Sequence, residues 1–218
     1  AIAGFVQAAK HARDAGFDGV ELHGANGYLL HEFMTAEFNQ RTDRWGGDYK
    51  ARLALPLEII RAVREEVGPD FVVGMRLSQG MVTDSRLKWD GGLEAARYRI
   101  ATLAAAGLDY IHVTEADISA PAFEEGESLA AIAKGAVEIP IIGNGAIGTG
   151  DQAQQLLDAG VLDFVAIGKA ALANHDWPLR VQDQAPLTAF DFDMFSPMAT
   201  ITNELAWRGT HGRSAVRR

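Results

Sequence analysis

Five short apolar runs, separated by stretches of helical spacing, constrain this chain more than any other feature. The runs are Asp18 to Leu22, Phe71 to Leu77, Tyr110 to Val113, Ile139 to Ile142 and Phe164 to Ile167. Each is rich in valine, isoleucine or phenylalanine and short enough for a buried strand. Between them lie helical patterns. Ile2, Phe5, Ala8, Ala9 and Ala12 form one apolar face of an opening helix. Residues 51–67 carry Leu53, Leu57, Ile60 and Val63 on one face, and residues 93–106, 128–137 and 152–159 continue the series. Gly107 and Gly160 follow two of these segments, where a C-terminal cap belongs. Strand and helix alternate, which calls for right-handed βαβ crossovers and a parallel sheet covered by helices. An open doubly wound sheet and a (β/α) barrel both satisfy this. Three helix-to-strand joints read alike, AGFDGVEL, AGLDYIHV and AGVLDFVAI. This weak internal repeat, with one βα unit as its period, favours the barrel.

Composition narrows the function classes. With 48% hydrophobic and 22% charged residues the chain of 218 is expected to fold. It has no cysteine, hence no disulfide framework, thiolate metal site or cysteine nucleophile. A net charge of -9 and a pI near 5.1 oppose general binding to nucleic acid. No run approaches the ~20 apolar residues of a membrane helix, and no signal peptide is visible. A cytoplasmic protein acting on a small molecule is the expectation. The chain opens at Ala1 inside a helix, so upstream sequence is expected to be missing. From Asp176 onward periodicity is weak at first, with Pro178, Pro186 and Pro197, and the chain ends in the basic run WRGTHGRSAVRR, expected to be mobile.

In both candidate folds, functional groups belong at the C-terminal ends of strands. The first run is followed by His23, Asn26 and Tyr28 within one turn. Imidazole and carboxamide can both donate to one oxygen, and a phenol can supply a proton. Arg76 closes the second run. Either it pairs with a carboxylate such as Glu21, or it meets an anion or electron-rich ring at the barrel mouth. Gly143, Gly145, Gly148 and Gly150 surround the end of the fourth run, and Gly168 and Lys169 follow the fifth. They make either tight turns or a phosphate cradle at helix N-termini. His112 lies within a strand and reads as a core or supporting residue. His31, His175 and His211 carry no pattern.

The stretch HGANGYLLHEFM followed by NQRTDRWGG resembles the Old Yellow Enzyme family of FMN-dependent NADH:flavin oxidoreductases, the ene reductases. The matching residues are His23, Asn26, Tyr28, Asn39, Arg41, Asp43, Trp45, Gly46 and Gly47. The resemblance continues, in the same order, through GMRLS (74–78), YIHV (110–113), PIIGNGAI (140–147) and AIGKAALANHDWP (166–178).

The resemblance implies a (β/α)8 TIM barrel with FMN at its C-terminal mouth, of which this chain covers about the last five βα units. Residues 1–180 would then be the partial barrel, units four to eight, and 181–218 an extension with a basic tail. Arg76 would sit by the flavin's N1 and O2, and Gly145, Gly168 and Lys169 at the FMN phosphate. His23 and Asn26 would grip a carbonyl or nitro oxygen of the substrate, and Tyr28 would donate the proton. NADH or NADPH would supply hydride. Lys169 replaces the family's usual arginine, keeping the charge but losing the bidentate fork. Trp45 stands where tyrosine is common. The family's first three βα units have no counterpart, so the 218-residue piece is expected to bind FMN weakly or not at all. Five strands would leave two open parallel edges, which makes a homo-oligomer or a flavin-less fragment an alternative. The barrel of a larger iron–sulfur flavoenzyme, such as a dienoyl-CoA reductase relative, is another, although such relatives carry cysteines after the barrel.

Overall fold

A computed structural model of the chain describes residues 1–211. The expected tail beyond that point, Gly212 to Arg218, lies outside the described residues. Two compact units are present, Ala1–Ile167 and a second beginning at Gly168.

The first unit holds one five-stranded parallel sheet. Its strands are β1 (Gly19–Asn26), β2 (Val72–Met81), β3 (Tyr110–Thr114), β4 (Ile141–Asn144) and β5 (Phe164–Val165). They lie in chain order, β1-β2-β3-β4-β5, with no reversal. A doubly wound sheet reverses at its switch point, so sequential order selects the barrel-type arrangement. Helices α1 (Ile2–Asp14), α2 (Leu29–Met34), α3 (Ala54–Val67), α4 (Gly92–Ala104), α5 (Leu129–Ala136) and α6 (Gly150–Asp158) accompany the strands. Leu22, Met75, Ile111 and Ile141 share one register row and are buried. Among the described residues no helix is long and apolar enough to cross a membrane.

The repeated helix-to-strand joint has a physical cause. Gly16, Gly107 and Gly160 all sit at positive φ, +86°, +120° and +67°, where any side chain would be strained. In two joints the aspartate that follows caps the neighbouring strand. Asp109 Oδ2 accepts from the Val73 N–H at 2.7 Å and from Arg64, and Asp163 Oδ2 accepts from the Ile141 N–H at 2.8 Å and from Lys134. Each aspartate satisfies a donor at the start of a strand, Val73 second in β2 and Ile141 first in β4, and pairs with a base on the helix before that strand.

Several expected boundaries move. The first strand runs four residues past Leu22, because pairing with β2 continues through Met81, with a register irregularity between Gly24 and Asn26. Asn26 absorbs it at φ 60°, a conformation asparagine tolerates. His23 and Asn26 are therefore strand residues rather than turn residues. The fourth strand starts after Pro140, which lacks an N–H to pair.

The second unit contains α7 (Lys169–Ala173), α8 (Trp177–Gln182) and α9 (Ile201–His211). Helix α9 takes in the first residues of the stretch expected to be a tail. Glu204 anchors it, accepting from His175 at 2.8 Å and from Arg208 at 2.7 Å. Arg208 also reaches the carbonyls of Leu172 and Ala173 at the end of α7.

Candidate active site

On the face of the sheet opposite the buried row, polar side chains alternate along three strands. His23, Arg76 and His112 stand side by side in register, followed across the sheet by Ile142 and Phe164. One step toward the N-terminal edge come Glu21, Gly74 and Tyr110. Along this row Phe164 is 59% exposed and the Arg76 side chain partly so, whereas His112 is buried.

Glu21 is the hub of the cluster. Its Oε1 takes Arg76 at 2.6 Å, and its Oε2 takes His112 Nδ1 at 2.9 Å and the Tyr110 hydroxyl at 3.2 Å. Burial pushes the Glu21 carboxyl up, but His112, Arg76 and Tyr110 outweigh it and hold the group below the ordinary range. The Tyr110 phenol is pushed up to about 12, by burial first and then by Glu21. The carboxylate alternative for Arg76 is thus realised. Even so, Arg76 Nε is buried and has no hydrogen-bond partner among the described residues.

Gly74 makes this hub possible. A Cβ there would lie 2.0 Å from Tyr110 Cζ, so the ring crosses β2 only because the position has no side chain. Gly74→Ala is expected to displace Tyr110 from Glu21 and lower stability by about 1–3 kcal/mol, as overpacking does. Urea unfolding checks this; a midpoint equal to the parent's would contradict it.

Tyr28 stands beside His23, ring centroids 5.0 Å apart. Burial, followed by the Arg76 charge, lowers the His23 pKa, so its ring is neutral at pH 7 and offers one N–H. The Asn26 backbone N–H donates to Ser78 Oγ at 2.8 Å, which fixes where its side chain leaves the strand. His31 is fully buried and its Nδ1 accepts from the Gly27 N–H at 3.0 Å, holding the turn between Asn26 and Tyr28. Its pKa falls to about 4, through burial and then the charges of His23 and Arg99.

Gly145, at the end of β4, has φ +144°, and a Cβ there would meet the Glu115 carbonyl oxygen at 2.3 Å. The tight-turn alternative accounts for this glycine. The N–H groups of Gly148 and Thr149 are taken by the Gln152 side chain within a capping box. Those of Gly145, Ala146 and Ile147 have no partner among the described residues and border a cleft of about 290 Å³. Gly168 and Lys169 belong to the second unit, where Gly168 is the N-cap of α7 and the Lys169 ammonium lies 5.2 Å from the Phe192 ring.

The motif of residues 39–47 builds a loop rather than a ligand set. Asn39 Nδ2 donates to the carbonyls of Phe33 and Trp45, both at 2.7 Å, and Arg41 pairs with Asp43. Trp45 carries the Arg44 guanidinium 3.8 Å from its ring centroid.

Glu21's hub role, Tyr110, Ser78 and His31 escaped the sequence reading. A period-two alternation was there to be read: Glu21 and His23, then Gly74, Arg76 and Ser78, then Tyr110, His112 and Thr114. Polar residues at every second position of three buried strands mark one polar face.

The model of the NADH:flavin oxidoreductase / NADH oxidase family matches residues 1–188. The chain belongs to this family. Members of the family bind FMN and use NAD(P)H. The NADH oxidase of Thermoanaerobacter brockii is 36% identical over 188 residues, 82% of this chain and 28% of the relative. The 12-oxophytodienoate reductase 2 of Arabidopsis thaliana is 36% identical over 198 residues, 88% of this chain and 50% of the relative. A structure of morphinone reductase in complex with tetrahydroNAD aligns with TM-score 0.74 and 33% identity, covering 87% of this chain and 50% of the other. The chain therefore spans about half or less of the length of these relatives. Its sheet corresponds to about half of their TIM barrel.

Proposed function

We propose that this chain carries the substrate-facing part of an FMN-dependent oxidoreductase that reduces activated alkenes, α,β-unsaturated carbonyl or nitro compounds, with NADH or NADPH. The observation that supports this is the row of His23 and Arg76 beside Tyr28, on a chain of the NADH:flavin oxidoreductase family. Arg76 would hold the pyrimidine side of FMN, and the backbone N–H groups that begin at Gly145 would take part of its phosphate. The residues present fit such a group: Arg76 has a buried Nε free to donate, and three backbone N–H groups beginning at Gly145 are unpaired among the described residues. When bound, FMN supplies the transfer of hydride from nicotinamide to alkene.

The chain's own residues do the rest. Neutral His23 donates one N–H to the substrate's carbonyl or nitro oxygen, and the Asn26 amide donates a second. Two fixed donors aimed at an oxygen that gains charge stabilise the transition state more than the ground state. The Tyr28 hydroxyl delivers a proton to the α-carbon. A fixed cation at Arg76 favours any negative charge that develops beside it.

Titrating the chain with FMN, while following the visible spectrum, tests the reading. Weak but saturable binding is expected, weakened further by Arg76→Met. A spectrum that remains that of free FMN at millimolar cofactor would overturn the reading for this chain.

A further inference from the structure

Arg76 is held by a carboxylate that also holds two other donors, and this arrangement exceeds what an ion pair needs. Both oxygens of Glu21 are used, and the three donors come from two neighbouring strands. The carboxylate takes one nitrogen from each of Arg76 and His112. The other nitrogen of the His112 ring, Nε2, and the Nε of Arg76 are buried with no hydrogen-bond partner among the described residues. An ionised carboxylate can only accept, so His112 must carry its proton on Nδ1. Glu21 thereby fixes both the direction of one guanidinium and the tautomer of one imidazole. It also balances the arginine's charge one register step from His23.

We infer that Glu21 is a positioning residue: it clamps Arg76 and His112 in place on the polar face of the sheet and sets the net charge that a bound group meets beside His23. This rests on the FMN reading above and adds to it a residue that acts through Arg76 without touching the cofactor. Lys or Arg alone at a strand end would supply charge; the clamp supplies direction as well.

The test separates the clamp from the cofactor. In the ligand-free chain, the His23 imidazole is titrated by NMR. The charged and titratable groups facing it are Glu21, Arg76, His31 and Tyr28. Glu21→Gln removes the charge that opposes Arg76, so the His23 midpoint should move to lower pH, and Arg76→Met should move it to higher pH. Glu21→Asp keeps the charge but shortens the reach, so it should leave the midpoint near the parent's. FMN titrations form a second arm. Glu21→Gln and Arg76→Met should each weaken binding about tenfold, the size of one lost charge-assisted hydrogen bond. The double variant should be no weaker than Arg76→Met, because both changes act on one guanidinium. A Glu21→Gln effect that persists in full in the Arg76→Met background would overturn the proposal, as would a His23 midpoint that moves in neither variant. Should Glu21→Gln fail to fold, Glu21→Asp carries the FMN arm: it is expected to weaken binding while sparing the His23 midpoint, and parent-like binding would overturn the clamp. Should the parent bind no FMN, the functional reading fails for this chain, while the His23 titration still decides whether Glu21 sets the charge beside His23.

Discussion

Asp90→Ala should destabilise the chain by about 3–5 kcal/mol, the loss seen when a buried ion pair is deprived of one partner. Two guanidiniums converge on this carboxylate, Arg52 at 2.6 Å and Arg99. Arg99 is 1% exposed and Arg52 4%, while the Asp90 side chain, at 40%, keeps one side in water. Removing Asp90 leaves two buried cations with only carbonyl partners: Met34 and Gly47 for Arg52, and Asp90's own backbone for Arg99. Arg99 has little room to move, because its guanidinium also packs over the rings of Tyr49 and Trp89, 5.5 and 5.4 Å from their centroids. Arg99→Met should cost less, since Asp90 then keeps Arg52 as its partner. Domains of this size are stable by only about 5–15 kcal/mol, so the urea midpoint should fall steeply for Asp90→Ala. Equal midpoints for the two variants would show that the carboxylate is not the keystone. The pH dependence has a fixed sign. Burial raises the Asp90 carboxyl, but Arg52 and Arg99 together bring it below its ordinary 3.8. A folded-state value below the unfolded one means stability fully present above 3.8 and lost as pH falls through the folded value.

Much of the scaffold was legible because strand burial writes itself into the sequence. Val73, Met75, Leu77, Ile111, Val113 and Ile141 are buried and apolar, and runs of such residues cannot be surface loops. The polar ends were not legible in the same way. The residues His23 to Asn26 read as a turn, yet they pair with β2, because partner register rather than local composition decides where a parallel strand stops. Helix α2 hides behind the same motif, too short for periodicity to declare itself. Catalytic candidates at strand ends could be listed from the sequence. Glu21 could be named as a carboxylate for Arg76, but its role as a hub could not, because its other partners Tyr110 and His112 lie about ninety residues away in sequence. Positive φ and a close Glu115 carbonyl explain Gly145 by themselves, so a glycine there does not by itself specify a ligand.

Tyr28→Phe should slow reduction of an activated alkene by about 10²–10⁴-fold, the range of a lost general acid, while leaving reduction by NAD(P)H unchanged. The structure gives the hydroxyl a fixed origin. The Tyr28 carbonyl accepts from the Glu32 N–H at 2.9 Å as α2 begins, and its own N–H donates to the Ala25 carbonyl at 3.2 Å. Both ends of the Tyr28 backbone are therefore pinned, and the ring has little freedom beyond its two torsions. The His23 ring centroid lies 5.0 Å from that of Tyr28, so, on the proposed reading, an oxygen held by His23 would bring the neighbouring carbons toward the phenol. The ring is 57% exposed; phenylalanine therefore fits without new strain, and stability should stay within about 0.5 kcal/mol of the parent, as for other surface changes. The two half-reactions, measured separately by rapid mixing in the FMN-loaded protein, distinguish the roles. Hydride transfer from nicotinamide needs no proton from Tyr28, whereas saturating the double bond needs one at the α-carbon. A substrate whose α-carbon is protonated readily by water should lose less than one whose α-carbon is not. Equal loss in both half-reactions would instead place Tyr28 in the shape of the binding site, and an unchanged alkene rate would assign the proton to solvent.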